Sequence, residues 1–127
     1  MPLGLSQRKA EYIIGVADEI ESGRLDLAHL KSMSGDDVQK RLTEIRGIGA
    51  WTANNFRLFA LGDLDAWPAN DLALQEGMKR LKNLVVRPSA EDLIRLGDAW
   101  RPFRGAGALM LWHLYGILVR EVTIDEV

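Results

Sequence analysis

The chain of 127 residues contains no cysteine. That absence excludes disulfides, a thiolate nucleophile and an iron-sulfur cluster held by thiolates. Its two histidines, His29 and His113, stand far apart in sequence, which argues against a zinc site. Long apolar runs are lacking as well: the longest, such as residues 105–112, fall well short of the ~20 residues needed to span a membrane. The start, Met1-Pro2-Leu3-Gly4-Leu5, has no basic region followed by an apolar one, so no secretory signal is read and a cytoplasmic location is expected. Nor is there an excess of positive charge. Sixteen Lys and Arg face 18 Asp and Glu, for a formal charge of -2, so composition gives no support to nucleic-acid binding and any such claim must rest on a local motif. What is present, 47% hydrophobic and 27% charged residues with no low-complexity stretch, fits one soluble globular unit over residues 1–127.

The pattern along the chain is helical. Ser6 caps a stripe of Ala10, Ile13, Ile14, Ala17 and Ile20, with Gly23 as a stop, and a short segment around Leu27, Leu30 and Met33 follows. Ser34 with Asp37 opens a helix carrying Val38, Leu42 and Ile45. Arg46-Gly47-Ile48-Gly49 interrupts it with a tight turn, and a new helix from about Ala50 carries Phe56, Phe59 and Ala60 on one face. Residues 66–71 form a loop because Pro68 lacks an amide donor, and the next helix starts near Asn70 or Asp71 and runs to about Leu81. Ser89 and Asp92 open a helix with Leu93 and Leu96 that Arg101-Pro102 ends. The last helix, over roughly 105–120, is apolar nearly all round and is expected to be central and buried. Leu84-Val85-Val86 and Val122-Thr123-Ile124 look strand-like but are too short and isolated for a sheet, so the class is all-α.

Three segments carry potential chemistry. Residues 42–53 form a helix, a Gly-x-Gly turn and a second helix. On the residues alone this reads either as a tight interhelical turn or as an anion site, since the amides opening the second helix point outward with the positive end of its dipole. Asp71, in Trp67-Pro68-Ala69-Asn70-Asp71-Leu72, reads on the residues alone as a helix cap, as does Asn70. By composition alone Trp51, Trp100 and Trp112 read as core residues. His113 on a mostly apolar helix reads first as a hydrogen-bonded structural residue, and His29 as a surface one.

Together, Ile45-Arg46-Gly47-Ile48-Gly49-Ala50-Trp51-Thr52-Ala53, the Pro68-Ala69-Asn70-Asp71-Leu72 segment and Trp100-Arg101-Pro102-Phe103-Arg104 resemble motifs of the helix-hairpin-helix DNA glycosylase superfamily, of the 3-methyladenine DNA glycosylase II type. The resemblance runs from about Gly4 to Gly116, with the motifs in family order. It implies a helix-hairpin-helix bundle and a base-excision-repair hydrolase that flips an alkylated purine out of double-stranded DNA and breaks its N-glycosidic bond. By the same resemblance Asp71 is the catalytic carboxylate, and Trp51, Asn55 and Trp112 line the base pocket. Amides at Gly47, Gly49 and Ala50 grip a DNA phosphate, and carbonyls of Thr43, Ile45 and Ile48 face a monovalent cation, Na+ or K+, with no other cofactor. Bifunctional members carry a nucleophilic Lys where Trp51 stands, and Trp forms no Schiff base, so the implied enzyme is monofunctional and leaves an abasic site.

Two departures qualify the resemblance. Asn55 stands where the family often places a pocket aromatic, implying a wider or more polar pocket. The family domain also has further helices before the Ser6 segment, one of them Gln-rich. The chain therefore reads as the C-terminal portion of that domain, either active or a non-catalytic DNA-binding or interaction module. Its uncovered apolar faces predict a homodimer, or a second chain supplying the N-terminal helices. Localisation is then at the bacterial nucleoid, or nuclear in a eukaryote.

Overall fold

Oxygen-bearing side chains start five of the first six helices, which is why the sequence breaks where it does. In the computed structural model, which describes residues 4–125, Ser6 accepts from the Lys9 amide and opens α1 (Gln7–Glu21). Asp26 caps α2 (Leu27–Leu30), and Ser34 accepts from the Asp37 amide at the start of α3 (Gly35–Thr43). Asp71 caps α5 (Leu72–Leu81) and Ser89 caps α6 (Ala90–Gly97). Each such cap satisfies an amide that the first turn leaves without an intrahelical partner. The exception is α4 (Ala50–Phe59), whose cap position is Gly49 and which has no side-chain cap. A short 3-10 turn over Asp98–Trp100 leads to α7 (Arg104–Asp125). Residues 1–3, part of the start read for a signal, lie outside the described residues.

The fold is all-α as expected, with no strand among the described residues. Leu84, Val85 and Val86 lie in irregular chain after α5, and residues 122–124 continue α7, since neither stretch has a neighbour with which to pair. Among the described residues no helix is long and apolar enough to cross a membrane.

Burial divides into two apolar clusters. Leu25, Leu30, Val38, Leu42, Ile45 and Ala53 form one, between α3 and α4 and the segments before them. The other joins Trp67, Ala69, Leu74, Met78, Leu93, Ala108 and Leu111, from α5, α6, α7 and the loop before α5. Trp67 donates its indole N–H to the Leu93 carbonyl at 2.9 Å and meets Trp100 edge-on, so Trp100 serves packing.

Polar clips hold the two clusters in register. Asn54 is buried; its amide nitrogen donates to the Ala50 carbonyl (2.9 Å), and its oxygen accepts from the Trp67 amide and from Arg57, both at 3.3 Å. Arg57 also donates to Asp63 (2.8 and 3.0 Å) and to Gln39 (3.2 Å). At the other end the Leu64 carbonyl accepts the Gly105 amide at 2.6 Å. Asp65 takes two side-chain bonds from Arg104, each 2.8 Å, and the Arg104 amide at 3.2 Å. The Arg104 hydrogen bonds hold the Asp65 carboxyl below its ordinary value, and Asp65 in turn raises Arg104. Among the described residues no buried side-chain nitrogen or oxygen lacks a partner, so these networks close.

Two expectations need correction. α7 is not buried all round: its first turns carry Ala108 and Leu111 into the second cluster, while Met110 is 70% exposed and Leu109 and Val119 are exposed too. Only α5 offers it an extensive surface, and one neighbour covers one face. The α1 stripe is likewise open, with Ile13 57% and Ile14 67% exposed and no fully buried residue in the helix. α1 is held by Val16, partly buried against the first cluster, and by Glu19, which accepts from Arg41 at 2.9 Å and from Arg24 at 3.1 Å.

Candidate active site

The hairpin between α3 and α4 uses its two glycines differently. Gly47 sits at φ +94°, a conformation other residues rarely adopt, and a Cβ there would fall 2.4 Å from the Tyr12 ring. Its lack of a side chain thus serves the approach of α1, whose Tyr12 also lies beneath the Arg46 guanidinium at 5.6 Å. Gly49 has extended backbone open to any residue, and a Cβ there would meet nothing within 4 Å. No internal contact requires glycine at this position. With no capping side chain, the first amides of α4, from Ala50 onward, remain open to an external acceptor.

The oxygens on the α3 side of the turn are mostly committed elsewhere or neutral. Thr43, the last residue of α3, donates its hydroxyl back to the Gln39 and Lys40 carbonyls, leaving its own carbonyl at the helix end. The Ile45 carbonyl accepts the Ile48 amide at 3.0 Å. At Thr43, Ile45 and Ile48 the turn presents only uncharged backbone oxygens, of which that of Ile45 already accepts a hydrogen bond.

Trp51, in the first turn of α4, joins the hairpin to the second segment. Its indole N–H donates to Asp71 Oδ2 at 2.7 Å. Asp71 Oδ1 accepts the Leu74 amide at 3.0 Å, as the cap of α5, and the Trp112 indole N–H at 3.2 Å. Capping and the indole bonds therefore coexist at Asp71, because one carboxylate can accept several bonds at once. All three donors are neutral, and among the described residues no Lys, Arg or His forms an ion pair with Asp71. The carboxylate lies at the edge of an aromatic surface, bonded only to neutral donors.

That surface includes a residue the sequence placed elsewhere. Phe59 was expected on one face of the helix with Phe56 and Ala60. Only Phe56 packs against the first cluster; Phe59 is 65% exposed and stacks on Trp112, with ring centroids 5.8 Å apart and planes 19° apart. Along α4 the positions 51, 55 and 59 fall on one face. Asn55 therefore lies between Trp51 and Phe59, with its amide nitrogen turned back to the Trp51 carbonyl at 2.8 Å. Asp71, Trp51, Asn55 and Trp112 are linked by these bonds, and Trp51 directly follows Ala50 at the start of α4, while His113 is exposed to solvent.

No protein-family model matches the chain. Solved structures do. A DNA-3-methyladenine glycosidase from Bacillus halodurans superposes with a TM-score of 0.83 at 41% identity, over 93% of this chain and 54% of that one. The Schizosaccharomyces pombe 3-methyladenine DNA glycosylase Mag1, in complex with abasic DNA, superposes with a TM-score of 0.80 at 32% identity, over 86% and 53%. In sequence, the DNA-3-methyladenine glycosylase of Bacillus subtilis is 33% identical over 110 residues, 87% of this chain and 36% of its own length. The chain belongs to the helix-hairpin-helix DNA glycosylase superfamily. Within it these relatives are 3-methyladenine DNA glycosylases by name, and the chain spans between about a third and about a half of their length.

Proposed function

We propose that this chain carries the base-excision machinery of a monofunctional DNA glycosylase acting on alkylated purines in duplex DNA. The observation that carries the reading is Asp71: a carboxylate without an ion-pair partner among the described residues, held by two indoles, one of them from the first turn of the uncapped helix α4. The hairpin amides at Gly47, Gly49 and Ala50 take a backbone phosphate, and the neutral carbonyls of Thr43, Ile45 and Ile48 would hold a monovalent cation behind them. The flipped base lies against the aromatic surface of Trp112, with Trp51, Asn55 and Phe59 around it, and an alkylated purine with positive charge gains from those electron-rich faces. The C1′–N bond then breaks with its electron pair leaving on the base. Asp71 stabilises the positive charge left on the sugar, and water attacks C1′ while its proton passes to the carboxylate. A relative crystallised with abasic DNA, the product of such a reaction, supports this course.

The test is release of 3-methyladenine or hypoxanthine from a duplex, followed by borohydride treatment. The expected result is free base, an abasic strand left uncut, and no trapped protein–DNA adduct. A trapped adduct would contradict the monofunctional assignment, since Trp51 offers no amine.

The open apolar faces of α1 and α7 favour a second reading, in which the chain is a DNA-binding or interaction module without catalysis. On either reading those faces take a partner, a second copy or another chain. Duplex binding without base release would support the second reading.

A further inference from the structure

Three helices converge on one carboxylate. Trp51 reaches Asp71 from α4, Trp112 from α7, and the Leu74 amide from α5, so the Asp71 oxygens are fixed by groups drawn from across the fold. An aspartate at a helix cap needs only the amide bond to do its capping work. The indole bonds are additional. Trp51 is 49% exposed and Trp112 is partly buried against the second cluster, yet both turn the N–H edge to the same carboxylate. Indoles are also chemically apt: each donates one hydrogen bond and carries no charge, so they orient the carboxylate without neutralising it as Arg or Lys would.

From this geometry we infer that the indole N–H groups of Trp51 and Trp112 are positioning groups for Asp71, separate from any stacking by their rings. They set the direction of the carboxylate toward the sugar carbon and hold it unpaired. The inference rests on the excision reading above and adds a role which that reading does not require.

The test replaces Trp51, and separately Trp112, with 3-benzothienylalanine, in which sulfur replaces the indole N–H and the ring face remains. Single-turnover release of an alkylated purine should fall about 10- to 100-fold, as for a misdirected catalytic group, while duplex affinity stays within about twofold. An unchanged rate, or a rate that falls only in step with affinity, would overturn the positioning role. Nuclear magnetic resonance gives a readout independent of activity, because the chain's four tryptophans supply their own controls. In Asp71→Ala the indole N–H resonances of Trp51 and Trp112 should move, while that of Trp67, bonded to the Leu93 carbonyl, stays. If neither moves, the bonds do not form and the inference is wrong. If both move but the wild type releases no base, the excision reading fails and the positioning role falls with it. If the wild type excises and the sulfur analogue matches it, excision stands and the positioning role alone is lost.

Discussion

Gly47 and Gly49 lie two residues apart in one turn, and substitution should separate them. Gly47→Ala forces a Cβ against the Tyr12 ring at a positive φ, so chemical denaturation should show a loss of about 1–3 kcal/mol. Gly49→Ser meets no obstacle and places a good capping residue on extended backbone, which should raise stability by a few tenths of a kcal/mol. The same serine would occupy the amides proposed for phosphate, so duplex affinity should drop in a binding titration even as the melting temperature rises. If affinity is unchanged, the hairpin is a turn and not a grip. At this scale the sequence exposed what is local. Asp71 was legible as a cap, and as a carboxylate once the flanking motif was weighed. Phe59 was misplaced because positions three apart share a broad helical face, and its partner Trp112 lies far along the chain, where periodicity carries no signal. Asn54 gave no sign of its buried bonds to Trp67 and Arg57, since an Asn beside another Asn looks like surface.

Between elements, the Asp65–Arg104 pair ties the start of α7 to the loop after α4. Arg104 is buried, so Asp65→Asn leaves its charge short of a partner and should cost about 3 kcal/mol in urea unfolding at neutral pH. A carboxyl depressed in the folded state stabilises the fold above its unfolded value and loses that contribution as pH falls through the folded one. The wild type should therefore lose stability from about pH 4 downward, and Asp65→Asn should flatten that decline. The raised Arg104 makes no difference there, because it remains protonated throughout. Helix starts were readable from Ser6, Ser34 and Ser89 because capping is a contact within one turn. The burial of α7 was not, because an apolar helix shows how much surface could be covered but not how much the rest of the chain covers.

Across the whole molecule the unresolved balance is apolar surface. Leu111→Ala, inside the second cluster, should cost roughly 2–5 kcal/mol. Met110→Glu, on the next residue but open to solvent, should change monomer stability by less than about 0.5 kcal/mol. If the open faces of α1 and α7 meet a second copy, light scattering should show mass rising with concentration, and Met110→Glu should abolish the rise. Mass constant at the monomer value would remove self-association. Duplex binding by a few hairpin amides should weaken only shallowly with salt, in keeping with the chain's net negative charge. The role of Asp71 is decided by duplex binding and base release measured side by side for the wild type and Asp71→Asn. The variant should bind about as tightly as the wild type and release no base. Normal release by the variant would contradict that role.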